Sequence, residues 1–270
     1  MSRAPRRAHR LWRGFARGGL LALALVAGGA GTNAQTGPCL EPGMGTAAQP
    51  ETLGGLFCVT YRDGTQRYPH GVLGDTWEPT RLTGRTADAE MSLRLEAVHV
   101  FEDLAPRLAD LDGDGSAEII TIRSHRNFGA QLAIYGPDPA NETFQLIAAT
   151  PYIGRPNRWL APIGVADFNA DGLMDIAYVD RPHLARTLRV WTFEAGALRE
   201  IASAGGFSNH RIGEDFITGG VRNCGAGPEM VMADAGWTQV MVARMENGAI
   251  IGAPVAPFST EAIAAALACR

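Results

Sequence analysis

The stretch LADLDGDGSAEIITI, Leu108–Ile122, decides the fold, because it returns as VADFNADGLMDIAYV, Val165–Val179. In both copies an acidic loop runs straight into a short apolar run, IITI or IAYV, and the step from Asp110 to Asp167 is 57 residues. The rest of the unit recurs too. QLAIYG (Gln131–Gly136) and FQLIAAT (Phe144–Thr150) follow the first loop, and TLRVWTF (Thr187–Phe193) and LREIASA (Leu198–Ala204) follow the second. A third unit has the same plan: GGVRNCGAGPEMVMA (Gly219–Ala233), TQVMVAR (Thr238–Arg244) and AIIGAPV (Ala249–Val255). Period-two or short apolar runs predict strands. Gly136-Pro137-Asp138-Pro139, Glu194-Ala195-Gly196 and Glu246-Asn247-Gly248 predict turns, the last two short enough to close hairpins. Three or four antiparallel strands at this spacing are blade-sized, and one blade cannot bury its own faces, so neighbours must stack.

The flanks are less regular. LFCVTY (Leu56–Tyr61) reads as a strand, Val72-Leu73-Gly74-Asp75 as the start of a repeat with a degenerate loop, and LRLEAVHVF (Leu93–Phe101) as strand material of a divergent first blade. STEAIAAALA (Ser259–Ala268) predicts a short helix capped by Ser259 or Thr260. The expected organisation is a signal peptide over 1–34, a flexible leader over 35–52, the repeat domain over 53–258 and the helix over 259–270.

The leader carries Arg3, Arg6, Arg7, Arg10, Arg13 and Arg17, then the apolar run Leu20–Ala30, which is short for a membrane span, then small residues up to Ala34. This is the pattern of a secretory signal, and it predicts a periplasmic or secreted protein. A twin-arginine signal and an uncleaved anchor are the weaker alternatives. The chain has 24 basic residues, all Arg, and 28 acids. Removing the six leader arginines leaves 18 against 28, a formal net charge of −10. That excludes the basic footprint a nucleic-acid binder needs. After signal removal no membrane span is expected, and the chain reads as a monomer.

Four cysteines, Cys39, Cys58, Cys224 and Cys269, follow the signal, which favours disulfides, with three pairings open. Cys39–Cys58 with Cys224–Cys269 is favoured because each bridge would fasten a terminus. A zinc site is the alternative, but no CxxC pair is present.

The two loops place oxygen-bearing side chains at positions 1, 3, 5 and 9. These are Asp110, Asp112, Asp114 and Glu118 in the first, and Asp167, Asn169, Asp171 and Asp175 in the second. Both have Gly at position 6, where a sharp turn needs a positive backbone dihedral. Alternate carboxylates converge, and the position 7 carbonyl can add another oxygen. Calcium, which takes six to eight oxygens, is the natural guest, and magnesium with its tighter octahedron is less suited. The bland alternative is a pair of solvated Asp/Gly turns. An EF-hand is excluded, since position 12 is Thr121 or Tyr178 instead of Glu and a strand follows.

DLDGDGSAEI and DFNADGLMDI resemble the calcium loops of FG-GAP/VCBS repeat proteins, the β-propeller type also seen in integrin α-subunits. The resemblance covers Leu108 to about Val255. It implies an all-β, propeller-like stack of antiparallel four-stranded blades with calcium bound before a strand, the ligands being the eight residues above plus the carbonyls of Ser116 and Leu173. The length fits four or five blades or an incomplete ring better than seven. The third loop departs from the pattern: with Glu229 aligned to Glu118, positions 1, 3 and 5 are Val221, Asn223 and Gly225, which predicts no metal there.

The connections one strand downstream are polar: Arg123-Ser-His125, Asp180-Arg181-Pro-His183 and Asp234-Ala-Gly-Trp237, with His210-Arg211 nearby in the chain. Equivalent propeller loops share a face, so Arg123, His125, Asp180, Arg181, His183, His210, Arg211, Asp234 and Trp237 form a candidate ligand surface. The first functional expectation is a calcium-stabilised, non-catalytic module for a protein or glycan ligand. The second is an extracytoplasmic propeller enzyme, a lyase or hydrolase acting on carbohydrate, with His, Arg and Asp loop residues at its site. No catalytic triad order, phosphate loop or dinucleotide fingerprint assigns residues to catalysis.

Overall fold

A computed structural model describes residues 44–48, 56–74, 77–86 and 90–270, all within the unit Thr36–Arg270. The expected signal peptide and Cys39 lie outside them.

The described chain folds into four antiparallel sheets in succession. The first has β1 (Met44–Ala48), β2 (Leu56–Thr65), β3 (Glu78–Thr86) and β4 (Glu90–Arg94) in that order. The second runs β5 (His99–Phe101), β7 (Glu118–His125), β8 (Gly129–Asp138) and β9 (Thr143–Ala149), with β6 (Arg107–Ala109) also on β7. The third is an unbroken meander of β10 (Leu160–Ala166), β11 (Asp175–Asp180), β12 (Thr187–Glu194) and β13 (Ala197–Gly205). The fourth runs β14 (Phe207–Ser208), β16 (Pro228–Asp234), β17 (Gln239–Glu246) and β18 (Ala249–Pro257), with β15 (Gly220–Asn223) on β16. The inner strand is thus whole in the third sheet and broken into two pieces in the second and fourth.

Period-two alternation sends neighbouring side chains into different cores. On β7, Ile119 faces the core shared with the first sheet, where it meets Val59, Tyr61 and Leu82. Ile120 and Ile122 face the core shared with the third sheet, beside Ile176 and Tyr178. On β11, Ala177 and Val179 point the other way, toward Met230 and Met232 of the fourth sheet. The outer face of that sheet, Val231, Val240 and Val242, packs on helix α1 (Thr260–Leu267) through Ile263 and Ala266. Among the described residues, therefore, the outer face of the fourth blade is covered by a helix, and the β2–β3 connection of the first blade reaches the segment after β14, where Gly213 N donates to Val72 O at 3.2 Å. The third and fourth inner strands approach so closely that a Cβ on Gly164 would stand 2.6 Å from Val221 Cγ2.

Both short hairpins form as expected. Ala195-Gly196 and Asn247-Gly248 have positive φ at both residues, the twist-matched two-residue turn. Ser259 is the cap of α1, its Oγ accepting the Ala262 N–H at 3.0 Å.

Four expectations need correction. Met44–Ala48, placed in the flexible leader, is a strand, because its backbone pairs with Val59, Thr60 and their neighbours on the edge of β2. The turn expected over Gly136–Pro139 begins later, at the short 3-10 turn Pro139–Asn141, since Gly136 and Pro137 stay paired with Gln145 and Phe144. Leu93–Phe101 is split between β4 and β5 in different sheets. Val72-Leu73 does not start a repeat; the pair lies in the connection between β2 and β3, with both side chains buried in the core between the second and third sheets.

Candidate functional site

Antiparallel connectivity places two kinds of loop at opposite ends of the blades. The acidic loops join the inner strand to the second strand, so Glu118 and Asp175 open β7 and β11. The connections after those strands emerge at the far end, about 20 Å away for a strand of six residues.

In the first acidic loop, carboxylate oxygens of Asp110, Asp112 and Glu118 lie within 4.8 Å of one another. Backbone N–H groups hold this arrangement. Leu111 N donates to Glu118 Oε2 at 2.8 Å, and Gly113 N and Gly115 N donate to Asp110 at 2.8 and 3.0 Å. Asp114 Oδ1 accepts from Ser116 N at 2.7 Å and does not belong to the three-carboxylate group. The second loop repeats the wiring: Phe168 N donates to Asp175 Oδ2 at 3.0 Å, Gly172 N to Asp167 Oδ2 at 2.9 Å, and Leu173 N to Asp171 Oδ1 at 2.9 Å. Asn169 joins through its amide, which donates to Asp171 Oδ2 at 2.9 Å. The position 6 glycines, Gly115 and Gly172, have φ of 89° and 88°, the left-handed region that the turn demands.

The electrostatics of both loops fit a cation. Burial, and the charges of Asp112, Asp114 and Asp110, push the Glu118 carboxyl upward against the Leu111 hydrogen bond. Burial lifts Asp175 to about 6. Asp175 Oδ1 is buried without a hydrogen-bond partner, a costly state for a carboxylate oxygen. An oxygen-only donor set with such an orphaned atom suits a hard divalent ion.

The third loop is built differently. Glu229, at position 9, accepts from Arg222 Nε at 2.8 Å. Arg222 is at position 2, where Leu111 and Phe168 offer only a backbone N–H. Its Nη1 also donates to Ala266 O at 2.6 Å. Cys224 in the same loop is bonded to Cys269 just beyond α1. Cys58 is disulfide-bonded as well.

At the opposite end the candidate ligand surface divides. Arg181 and His183 line a pocket of about 190 Å³, together with His70, Asn157, Arg158, Trp159, Leu184 and Ile212. His210 stands behind His183: its Nδ1 lies 2.9 Å from His183 Nε2, and its Nε2 donates to Glu214 O at 2.9 Å. Burial, then the neighbouring His210 and His70, bring His183 down to about 4, and burial lowers His210 too. Asp180 is occupied by Arg181 and Arg189. Arg123 donates to Tyr135 Oη at 3.1 Å, and His125 stacks on Phe128 beside His99 and Tyr152. Arg211 lies 4.1 Å from the Trp237 ring centroid, and Asp234 accepts the N–H groups of Thr238 and Gln239 at 2.6 and 2.8 Å to shape its own turn. Those two groups have local structural partners and do not line the pocket.

Motif reading missed His70, which lines the pocket, and Glu102 behind it. Glu102, fully buried, is bonded to His70 Nδ1 and to the Ser124 hydroxyl, and its backbone carbonyl accepts from Trp159 Nε1 at 2.7 Å. Burial raises the Glu102 carboxyl; the His70 and Ser124 hydrogen bonds oppose this. The repeat points to Glu102 alone, since aligning β5–β6 with the continuous β10 exposes Glu102–Pro106 as an insertion; nothing in the sequence points to His70.

Among the described residues no helix is long and apolar enough to cross a membrane. Comparison with curated proteins gives no match to the sequence. Residues 110–178 match the family of the FG-GAP-like repeat, a stretch that begins at Asp110 of one acidic loop and runs past Asp175 of the other. The chain therefore carries an FG-GAP-like repeat, and the wiring common to its two acidic loops belongs to it.

Proposed function

We propose that the protein is an exported calcium-binding repeat module that binds a ligand without transforming it. The observation that carries the calcium reading is the convergence of Asp110, Asp112 and Glu118 within 4.8 Å, repeated in plan by Asp167, Asn169, Asp171 and Asp175. Ser116 and Leu173 would add carbonyl oxygens. In this reading calcium supplies charge balance and rigidity at the entries to β7 and β11, and takes no part in chemistry. Export is supported by the arginine-rich leader and by cysteines bonded in pairs, a state favoured in oxidising compartments. The test is calorimetric titration of chelator-treated protein with calcium. Two binding events are expected, one abolished by Asp112→Ala and the other by Asp171→Ala. Heat from neither loop would end the reading.

A second reading, an enzyme, is favoured by one observation: a histidine oriented by a buried carboxylate opens into a pocket, which is how general bases are held. Substrate turnover that disappears in a folded His70→Ala protein would decide for it.

A further inference from the structure

The pocket is assembled from four separate connections. His70 comes from the β2–β3 loop, Asn157 to Trp159 from β9–β10, Arg181 to Leu184 from β11–β12, and Ile212 from the segment between β14 and β15. Its floor is fixed by buried hydrogen bonds that also determine what it offers a ligand. Glu102 lies against His70 Nδ1, so His70 Nε2, with no hydrogen-bond partner among the described residues, is the ring nitrogen left for a ligand. Glu214 O accepts from His210 Nε2–H, so His210 Nδ1 accepts from His183 Nε2–H, and His183 Nδ1 is left as an acceptor. Burial keeps His183 neutral at pH 7.

A ligand that meets the His183 Nδ1 acceptor must donate a hydrogen bond, through a hydroxyl or an ammonium. The charge of the lining decides between them. Arg181 is neutralised by Asp180, but Arg158 has no ion pair among the described residues; its guanidinium donates to the Asn157 carbonyl alone. An ammonium would meet that positive charge, whereas an anion would gain a charge-assisted hydrogen bond. Beside Asn157, the remaining lining is apolar: Trp159, Pro182 and the rim residues Leu184 and Ile212, exposed by 62% and 74%. A volume of about 190 Å³ admits one sugar ring and no folded partner.

We propose that this pocket is the ligand site of the module and that it takes an acidic sugar unit, its hydroxyls on His70 Nε2 and His183 Nδ1, its carboxylate on Arg158 and its C–H face on Leu184 and Ile212. The assignment rests on the binding-module reading above, and it is independent of calcium.

The test is ligand-observed NMR and calorimetry on the full chain, with D-galacturonate and D-glucuronate as probes and D-galactose and D-glucose as neutral controls. The acidic sugars should bind about tenfold more tightly than the neutral ones, and Arg158→Gln should erase that margin, as loss of one charge-assisted hydrogen bond requires. Ile212→Trp, which blocks the mouth from an exposed position, should abolish binding even if Arg158→Gln proves unstable. Failure of both acidic sugars to bind, an equal affinity for the neutral ones, or binding untouched by Ile212→Trp overturns the assignment. Chemical conversion of the bound sugar would overturn only the non-catalytic reading and leave the ligand class standing.

Discussion

Arg222 Nε donates to Glu229 Oε2 at 2.8 Å in the third loop, and both side chains are largely shielded, at 14% and 12% exposure. A guanidinium thus balances the carboxylate that, in the other two loops, is held only by a backbone N–H. The entry to the fourth blade carries its own cation. Arg222→Gln leaves Glu229 as an uncompensated, partly buried charge, and the expected loss is about 3 kcal/mol of unfolding free energy. Urea denaturation measures it, and the double variant with Glu229→Gln should recover part of the loss. A variant within about 0.5 kcal/mol of the parent would show that the pair contributes nothing.

Calcium binding to the other two loops should stabilise the folded state by mass action, about 2.7 kcal/mol for a site held at a hundred times its Kd. A thermal transition that rises with calcium, and rises less in Asp112→Ala and in Asp171→Ala, is the expected result. A transition unmoved by chelation, after metal analysis confirms removal, contradicts it.

Gly172 has φ of 88° with no atom near its missing Cβ, so a side chain there meets strain and not a clash. Gly172→Ala should cost about 1–2 kcal/mol and weaken calcium binding at the second loop, while calorimetry of the first loop stays unchanged.

The depressed His183 gives stability a pH dependence of definite sign. Its folded value is about 4, below the ordinary histidine value near 6.5, because burial and the neighbouring His210, His70 and Arg186 disfavour the imidazolium. Between these values the unfolded chain binds the proton more readily, so this contribution is intact above about pH 6.5 and is lost as pH falls toward 4. His99, brought to about 4 by burial and by Arg123 and His125, acts in the same direction. Denaturation midpoints of His183→Gln and the parent, compared at pH 7.5 and pH 5, should show a smaller drop in the variant.

Cys224–Cys269 closes a segment with a sequence separation of 45 and fastens the end of α1 to the loop that Arg222 also holds. Cys269→Ser should cost about 2–4 kcal/mol. Because α1 covers Val231, Val240 and Val242, hydrogen exchange should accelerate first in β16 and β17.

The blades and loops were legible because they rest on local patterns repeated in the chain. Ile119 to Ile122 alternate between two cores, and Gly115 and Gly172 mark the same turn, so two copies in register identified the plan. The replacement at the third loop was half legible: Val221, Asn223 and Gly225 announced that acids were missing, but only the fold shows Arg222 in contact with Glu229. His70 and Glu102 were not legible. They lie 32 residues apart in a connection and in an insertion, and no spacing rule joins them. The candidate ligand surface was over-drawn for a related reason. Arg211 and Trp237, or Asp234 and Thr238, satisfy one another locally, and residue type alone does not show that a polar side chain is already occupied.

The broken inner strands have a consequence for how such a chain can diversify. β5 and β6 both stay paired to β7, and β14 and β15 both stay paired to β16, so the ladder is anchored on either side of each interruption. Lengthening residues 211–216, exposed for the most part, would then add only a slowly growing loop entropy. Ile212 at the pocket mouth comes from this stretch, whereas Glu102 in the other interruption is fully buried. The mouth can therefore be reshaped by a change of loop length, while the FG-GAP-like repeat over residues 110–178 is left as it is.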